Sequence, residues 1–192
     1  HANRASEVIK RLRAFLRKGQ KQMAPVQLNA VVSDVVRLCQ WEGEKNGVRL
    51  QENLAENSPV ITADPILLEQ VLINLIRNGI EANVEAASQG ENREPSRITV
   101  CTCINDQQET LIQVTDEGPG LDDEGIRQMF QPFYTSKPQG LGLGLSMSRS
   151  IIEGFGGFLD ARPAATGGLS LICRFPASPG HKNRTSNTEM QP

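Results

Sequence analysis

The sequence predicts an α+β protein: a two-layer α/β sandwich with a mixed, mostly antiparallel sheet, helices on one face of that sheet, and a helical segment in front of it. Segments of helical periodicity alternate irregularly with short strands, rather than in a regular β–α–β order. Two strands, at residues 97–104 and 110–115, flank a polar turn typical of an antiparallel hairpin. The hydrophobic content of 38% suits a packed core.

The N-terminal segment predicts an amphipathic helix at residues 2–18, since apolar side chains recur three and four apart and Gly19 follows. Such a stripe needs a partner helix, which we expect from a missing upstream segment or a second chain. The chain begins inside this pattern, so a longer parent protein is expected. Residues 20–27, which include Pro25, are predicted to be a linker.

The central part of the chain predicts a helix at residues 28–45, with its valines, Leu38 and Cys39 on the buried side. Asp64 followed by Pro65 is a helix start, because a carboxylate caps the first turn and proline suits its first position. The other predicted elements are strands at 48–54 and 59–62, a helix from 65 to about 87, a loop at 88–96, a short helix at 122–129, a polar loop at 131–140, a helix at 143–154, strands at 158–161 and 169–175, and a disordered tail.

Charge and cysteine content argue against nucleic-acid binding and against a cysteine metal site. Residues 1–22 carry seven basic side chains against one acidic one, although the whole chain has a net charge of -2. Because no RNA-type aromatic or glycine-rich signature accompanies this basic segment, a solvated helix face is favoured over nucleic-acid binding. The pair Cys101 and Cys103 lacks a second pair or a histidine to complete a metal site. Buried, reduced thiols in a cytoplasmic protein are expected instead.

A polar stripe runs along the helix that starts at Pro65. At 100° per residue, Asn74, Asn78 and Glu81 share one side, next to the apolar packing face. Asparagine is a poor residue inside a helix, so two of them four apart suggest a function. Oxygen ligands for a phosphate-bound Mg²⁺ would explain them, whereas local hydrogen bonding is the structural alternative.

Two glycine-rich turns follow this helix. Asp116 ends an apolar strand and precedes Gly118 and Gly120, so it could accept an N–H from a ligand base, although an ordinary surface turn has the same composition. The run from Gly140 to Gly144 opens a helix, where backbone N–H groups favour anions. Lys137 lies three residues earlier and could reach a phosphate. A hinge loop is the alternative for this run.

Taken together, these stretches resemble the ATP-binding domain of sensor histidine kinases, over about residues 25–176. Asn74 to Ala82 resembles the N box, Asp116 to Gly120 the G1 box, Phe130 to Phe133 the F box, and Gly140 to Gly144 the G2 box. Four boxes in order are highly specific for the fold, which gyrase-type ATPases share. The N-terminal segment resembles the end of the second helix of the kinase dimerisation hairpin.

The resemblance implies a role for each matched residue. Asn78 is expected to bind Mg²⁺, with Asn74 beside the phosphates, and Asp116 to take the adenine amino group. Lys137 joins the two asparagines as a catalytic candidate. The other implied nucleotide contacts are Gly118, Gly120, Gly140, Gly142, Gly144, Leu145 and Ser170.

Two departures from the family refine the prediction. The family's acceptor histidine lies on the first hairpin helix, which is absent, and neither His1 nor His181 has the matching context. Gyrase-like relatives carry a water-activating glutamate four residues before the metal-binding asparagine, where this chain has Asn74. A carboxamide cannot act as a general base, so unassisted water attack would preserve the γ-phosphoryl group for a protein nucleophile.

The sequence therefore predicts the catalytic region of a two-component sensor histidine kinase that uses ATP and Mg²⁺. It would phosphorylate a histidine outside this chain, and the phosphoryl group would pass to an aspartate of a response regulator. The expected organisation is a hairpin end at 1–22, an ATP-binding domain at 23–176 and a tail at 177–192, with homodimerisation through the hairpin, no nucleic-acid partner and a cytoplasmic location. The alternatives are a gyrase-like ATPase or clamp and a non-catalytic nucleotide-binding regulatory module.

Overall fold

The computed structural model describes residues 21–90, 95–135, 141–165 and 167–177, and these contain seven strands and four helices. The predictions for the N-terminal helix and for the tail beyond residue 177 lie outside the described residues. In chain order the elements are β1 (Ala24–Gln27), α1 (Leu28–Lys45), β2 (Val48–Asn53), β3 (Val60–Ala63), α2 (Pro65–Ser88), β4 (Ser96–Ile104), β5 (Thr110–Thr115), α3 (Asp123–Gln128), α4 (Gly144–Gly154), β6 (Phe158–Pro163) and β7 (Leu169–Phe175).

The strands form a five-stranded sheet in the order β2-β4-β5-β7-β6. Only the β2–β4 pair is parallel in this sheet, and the β4–β5, β5–β7 and β6–β7 pairs are antiparallel. Strands β1 and β3 form a separate antiparallel pair. The predicted α+β sandwich with a mixed, mostly antiparallel sheet is confirmed.

The core lies between one face of this sheet and the helices. Ile98 and Ile112 are fully buried on the sheet side, and Leu72 and Leu75 of α2 are fully buried opposite them. Helix α1 adds its buried stripe beside α2. On the outer face the alternate residues are polar or only half-buried, as in Thr99 and Gln113. The nucleotide motifs therefore belong to the layer of helices and its junction with the sheet.

Strand β1 corrects the predicted linker at residues 20–27. Val26 pairs with Ile61 of β3 and is buried, and the Leu28 N–H donates to the Pro59 carbonyl at 2.9 Å. A four-residue segment with a proline carries no alternation that the sequence could reveal, and it is ordered by pairing with a strand more than thirty residues away.

Leu38 is a second correction, because it is 67% exposed although the sequence placed it on the buried side of α1. The buried stripe of α1 includes Val32, Val35 and Cys39. A helix packed on one sheet buries a single stripe, and Leu38 is rotated by 100° from Cys39.

The cysteines divide into two buried and two accessible thiols, which corrects the expectation that all are buried. Cys39 and Cys173 are buried, Cys101 is partly buried and Cys103 is exposed. On β4 the side chains of Val100 and Thr102 face the core, so Cys101 and Cys103 face outward.

Alkylation should separate these thiols. Burial raises the pKa of the Cys173 thiol to about 12 from an ordinary value of 9.0, so its thiolate fraction near pH 8 is roughly a thousandfold smaller than that of an unperturbed thiol. Treatment of the native chain with iodoacetamide should modify Cys103 first and leave Cys173 intact until urea unfolds the protein, as read by peptide mass mapping. Native-state modification of Cys173 as fast as that of Cys103 would contradict this burial.

No helix within the described ranges is both long enough and apolar enough to cross a bilayer.

Candidate functional site

Helix α2 carries the predicted polar stripe and is fixed firmly at its start. The Asp64 side chain accepts hydrogen bonds from the Ile66 N–H at 3.0 Å and the Leu67 N–H at 3.2 Å, so the predicted N-cap is confirmed. On the stripe, Asn74 and Asn78 are half-buried and Glu81 is exposed. The packing side of the helix is buried, and therefore the two carboxamides lie at the border between the core and an open surface.

Asn74 lies where α2 meets α4. Its Nδ2 donates to the hydroxyl of Ser148 at 3.0 Å, and Ser148 is buried. A Cβ atom at Gly144 would lie 2.6 Å from Asn74 Oδ1. Glycine at the first position of α4 therefore lets this helix begin directly against the asparagine.

Asp116 follows β5 and is buried, with 6% of its surface exposed. Its Oδ1 accepts the N–H groups of Gly118 at 2.9 Å and Leu169 at 3.1 Å. A Cβ atom at Gly79 would lie 3.4 Å from Asp116 Cβ, so α2 passes close to the aspartate at this glycine. The carboxylate is thus held in one orientation between the sheet and α2.

The two glycines of the first turn are required by close contacts. A Cβ atom at Gly118 would lie 2.7 Å from Ala82 Cβ of α2. Gly120 has a φ of +72°, and a Cβ atom there would lie 2.8 Å from the Gly167 carbonyl oxygen. The turn is therefore pressed against α2 on one side and against the β6–β7 connection on the other.

Asn83 is a functional candidate that the sequence analysis missed. It is 1% exposed, its Nδ2 donates to the Arg97 carbonyl at 3.0 Å, and its Oδ1 accepts the Glu117 N–H at 2.9 Å. This carboxamide ties α2 to β4 and to the turn that follows Asp116. The sequence does contain a signal for Asn83, because it is a third asparagine inside one helix. Asn83 lies off the stripe of Asn74 and Asn78, so the stripe did not point to it.

The second glycine-rich segment is joined to the F box. The Phe133 N–H donates to the Gly142 carbonyl at 2.9 Å, and both residues have positive φ, at 67° and 64°. A Cβ atom at Gly142 would lie 2.5 Å from the Phe133 carbonyl carbon. Leu145, predicted to contact nucleotide, is partly buried and packs against the hydrophobic core.

The structure does not bring Ser170 to this group of residues. Ser170 pairs with Thr115 in the β5–β7 ladder, and its hydroxyl lies 2.8 Å from the Thr115 hydroxyl and 3.1 Å from Gln113 Nε2. Successive residues of a strand face opposite sides, so Ser170 lies on the outer face, away from the core-facing side chains of β5. The neighbouring Leu169 N–H makes the contact with Asp116 instead. Lys137 and Gly140 lie outside the described residues.

The described residues form two ends of an elongated site along α2. Asp116 and its glycine turn contact α2 at Gly79 and Ala82, and the start of α4 contacts it at Asn74. Asn74 and Ala82 are eight positions apart on the helix, which is a rise of about 12 Å along its axis. A ligand lying along the stripe would meet a fixed carboxylate at one end and carboxamides with a helix N-terminus at the other.

Comparison with known proteins agrees with this arrangement. The family model of the histidine kinase-, DNA gyrase B-, and HSP90-like ATPases matches residues 63–179. The chain is 35% identical to the C4-dicarboxylate transport sensor protein DctS of Rhodobacter capsulatus, over 91% of this chain and 26% of that protein. It is 34% identical to the sensor protein FixL of Bradyrhizobium diazoefficiens, over 92% of this chain and 34% of that protein. The chain thus spans about a quarter to a third of the length of these two relatives.

Solved structures show the same fold. The catalytic domain of the histidine kinase ThkA superposes with a TM-score of 0.68 at 28% identity, covering 81% of this chain and 95% of that chain. A complex of ThkA with the response regulator protein TrrA also matches, with a TM-score of 0.70 at 24% identity, over 94% of this chain and 50% of that chain. The chain therefore belongs to the family of histidine kinase-, DNA gyrase B- and HSP90-like ATPases, and it shares the fold of the ThkA catalytic domain.

Proposed function

We propose that this chain binds Mg·ATP along the polar stripe of α2 and directs the γ-phosphoryl group to a histidine outside the chain, from which it passes to an aspartate of a response regulator. The observation that carries the proposal is the placement of Asp116 and Asn74 at opposite ends of one helical stripe, each held by hydrogen bonds of its own. The proposal assigns the nucleotide domain to residues 23–176.

The adenine end of the site is assigned to Asp116. Its Oδ1 is occupied by the N–H groups of Gly118 and Leu169, which fixes the plane of the carboxylate. A buried carboxylate held in this way is a strong acceptor, and the exocyclic amino group of adenine is a matching donor. Gly118 and Gly120 keep the backbone close to α2 and to residue 167, so no side chain fills the space beside the base.

The phosphate end is assigned to Asn74, Asn78, Gly142 and Gly144. The N-terminus of an eleven-residue helix, α4, lies there, and its backbone N–H groups and dipole favour an anion. Asn78 is half-buried on the same stripe, and its carboxamide has no hydrogen-bond partner within the described part of the chain. Lys137 and Gly140 belong to this end by sequence resemblance.

The residues present fit a magnesium ion that is bound mainly through phosphate. Mg²⁺ takes oxygen ligands, keeps several waters and needs only one or two protein oxygens when a nucleotide is bound. The described residues contain no group of three histidine, cysteine or acidic side chains that could hold a metal alone, and the Asn78 carboxamide supplies an oxygen on the stripe. When bound, the ion would neutralise phosphate charge, and Asn78 is the residue proposed to hold it.

Phosphoryl transfer is favoured over ATP hydrolysis because of Asn74. Its carboxamide donates to Ser148 and cannot take a proton from water. Catalysis by this chain would then consist of positioning the nucleotide for an incoming imidazole. The alternative of a gyrase-like ATPase requires a general base that this position does not supply.

The proposed partners are a response regulator and a second copy of the parent protein. The response regulator in the ThkA complex supports a response regulator as the phosphoryl acceptor after histidine. The segment 1–22 is proposed to complete a dimerisation hairpin with an upstream helix, so that the parent protein is a homodimer with this region in the cytoplasm.

The test is to follow the γ-phosphate in a longer chain that includes the upstream helix. With γ-labelled Mg·ATP, we expect label on the protein that resists base and is lost in acid, as phosphohistidine is. The Asn78→Ala variant should lose about tenfold or more in Mg·ATP affinity and should not become labelled, whereas Asn53→Ala, on the edge strand β2, should behave as wild type.

Two results would contradict the proposal. Steady release of free phosphate without labelled protein would favour the ATPase alternative. Unchanged Mg·ATP binding by Asn78→Ala would remove the metal assignment.

A further inference from the structure

We infer that Arg149 is a positioning residue that holds the F box against α4 and thereby fixes the phosphate end of the site. This inference rests on the proposed function, because it concerns the affinity of the same site for nucleotide. It adds a residue outside the four sequence boxes.

Arg149 joins three elements through one side chain. It lies in the middle of α4, and its guanidinium carbon is 3.6 Å from the centre of the Phe130 ring. Its Nε and Nη2 both donate to the Leu159 carbonyl of β6, at 3.1 and 3.0 Å. Phe130 is 7% exposed, so the cation is stacked on a buried ring and little water competes with the contact.

The contact with Phe130 extends to the glycine-rich segment. Phe130 begins the F box, and three residues later the Phe133 N–H donates to the Gly142 carbonyl. Gly142 leads into Gly144, which lies against Asn74. Arg149 therefore closes a ring of contacts that runs from α4 through the F box and back to the start of α4. The F box and the helix N-terminus are held as one unit beside the asparagine.

Arginine is suited to this place for two reasons. Its planar guanidinium can stack on a ring face while its edge donates two hydrogen bonds. Strand β6 lies at the edge of the described five-stranded sheet, next to β7, and its Leu159 carbonyl receives both donors from Arg149. A lysine would keep the charge but would lose the stacking and one donor.

A role in packing alone predicts a different result from a role in positioning. If Arg149 only stabilised the fold, its removal would lower the melting temperature and leave the affinity of the folded fraction unchanged. If it positions the F box, its removal raises the dissociation constant for nucleotide, and the loss depends on the Phe130 ring. A double-mutant cycle measured on affinity separates these two roles.

The experiment is calorimetric titration of the 192-residue chain with Mg·ATP, well below each variant's melting temperature. Arg149→Ala should raise the dissociation constant about five- to tenfold, and Arg149→Lys about two- to threefold. Phe130→Leu should weaken binding to a similar extent as Arg149→Ala, and the double variant should be no weaker than the weaker single variant. Arg127→Ala is the matched control, since Arg127 is exposed on α3 and its salt bridge among the described residues is with Glu124; it should stay within about twofold of wild type.

Three outcomes would overturn the inference: wild-type affinity in Arg149→Ala, additive losses in the double variant, or an equal loss in Arg127→Ala. If Arg149→Ala does not fold, Arg149→Lys decides, and wild-type affinity in that variant counts against the inference. Failure of the wild-type chain itself to bind Mg·ATP would instead reject the proposed function, so the two failures are distinguishable.

Discussion

Replacing Asp116 with asparagine should leave the fold intact and weaken ATP binding about 10- to 100-fold. An asparagine oxygen can still accept the N–H groups of Gly118 and Leu169, which Asp116 Oδ1 accepts at 2.9 and 3.1 Å. The other terminal atom then becomes an NH₂ donor. It would face the adenine amino group, which is also a donor, and the charge that strengthened the contact is lost.

The same substitution should change the preference among purines. Hypoxanthine has a carbonyl oxygen where adenine has an amino group, so the asparagine NH₂ could donate to it. The ratio of ATP affinity to ITP affinity should therefore fall in Asp116→Asn. A variant that is only destabilised would lose affinity for both nucleotides alike and keep this ratio. A uniform loss for both nucleotides would place the base elsewhere.

Titration of the folded chain with ATP and ITP measures both effects. The matched control is Asp106→Asn, which makes the same chemical change in the turn between β4 and β5. This turn lies at the opposite end of β5 from Asp116, so both affinities should stay unchanged. Thermal unfolding of the two variants should show that each remains folded at the titration temperature.

Much of this architecture follows from local sequence signals. Helix α1 has the predicted bounds Leu28 and Lys45, because its apolar periodicity extends over its whole length. Helix α2 begins where Asp64 and Pro65 predict, since capping is a property of two adjacent residues. The placement of Asn74 on α2 and of Asp116 directly after β5 also follows from the sequence, through the helical stripe and the end of an apolar strand.

The features that sequence did not reveal depend on contacts between distant segments. Strand β1 exists because it pairs with β3, and Asn83 acquires its role because Arg97 and Glu117 come to it from other elements. The position of Ser170 depends on strand register. A shift of one residue along a strand reverses the face of the sheet, so the Ser170 hydroxyl lies beside Thr115 on the outer face, whereas the neighbouring Leu169 N–H contacts Asp116.

Of the substitutions proposed for this chain, Gly168→Ala should cause the largest loss of stability. A Cβ atom there would overlap the Asp116 carbonyl oxygen and lie 2.6 Å from both the Asp116 carbonyl carbon and Oδ1. These are backbone atoms and a fixed carboxylate, so the start of β7 would have to move away from the end of β5. We expect a loss of about 3 kcal/mol in the free energy of unfolding, or roughly 6–12 °C in melting temperature.

Gly154→Ala is the matched control, because among the described residues the crowding there comes from Nζ and Cε of Lys21, the far end of a flexible side chain. Since alanine favours helix, this variant should be neutral or more stable by up to about 1 kcal/mol. Thermal unfolding followed by circular dichroism compares the two variants. A Gly168→Ala variant that melts with the wild type would show that Asp116 and the start of β7 are not in the close contact on which the adenine end depends. If the contact is as described, the same variant should also bind ATP weakly when folded at low temperature, because the Leu169 N–H that orients the Asp116 carboxylate directly follows the altered residue.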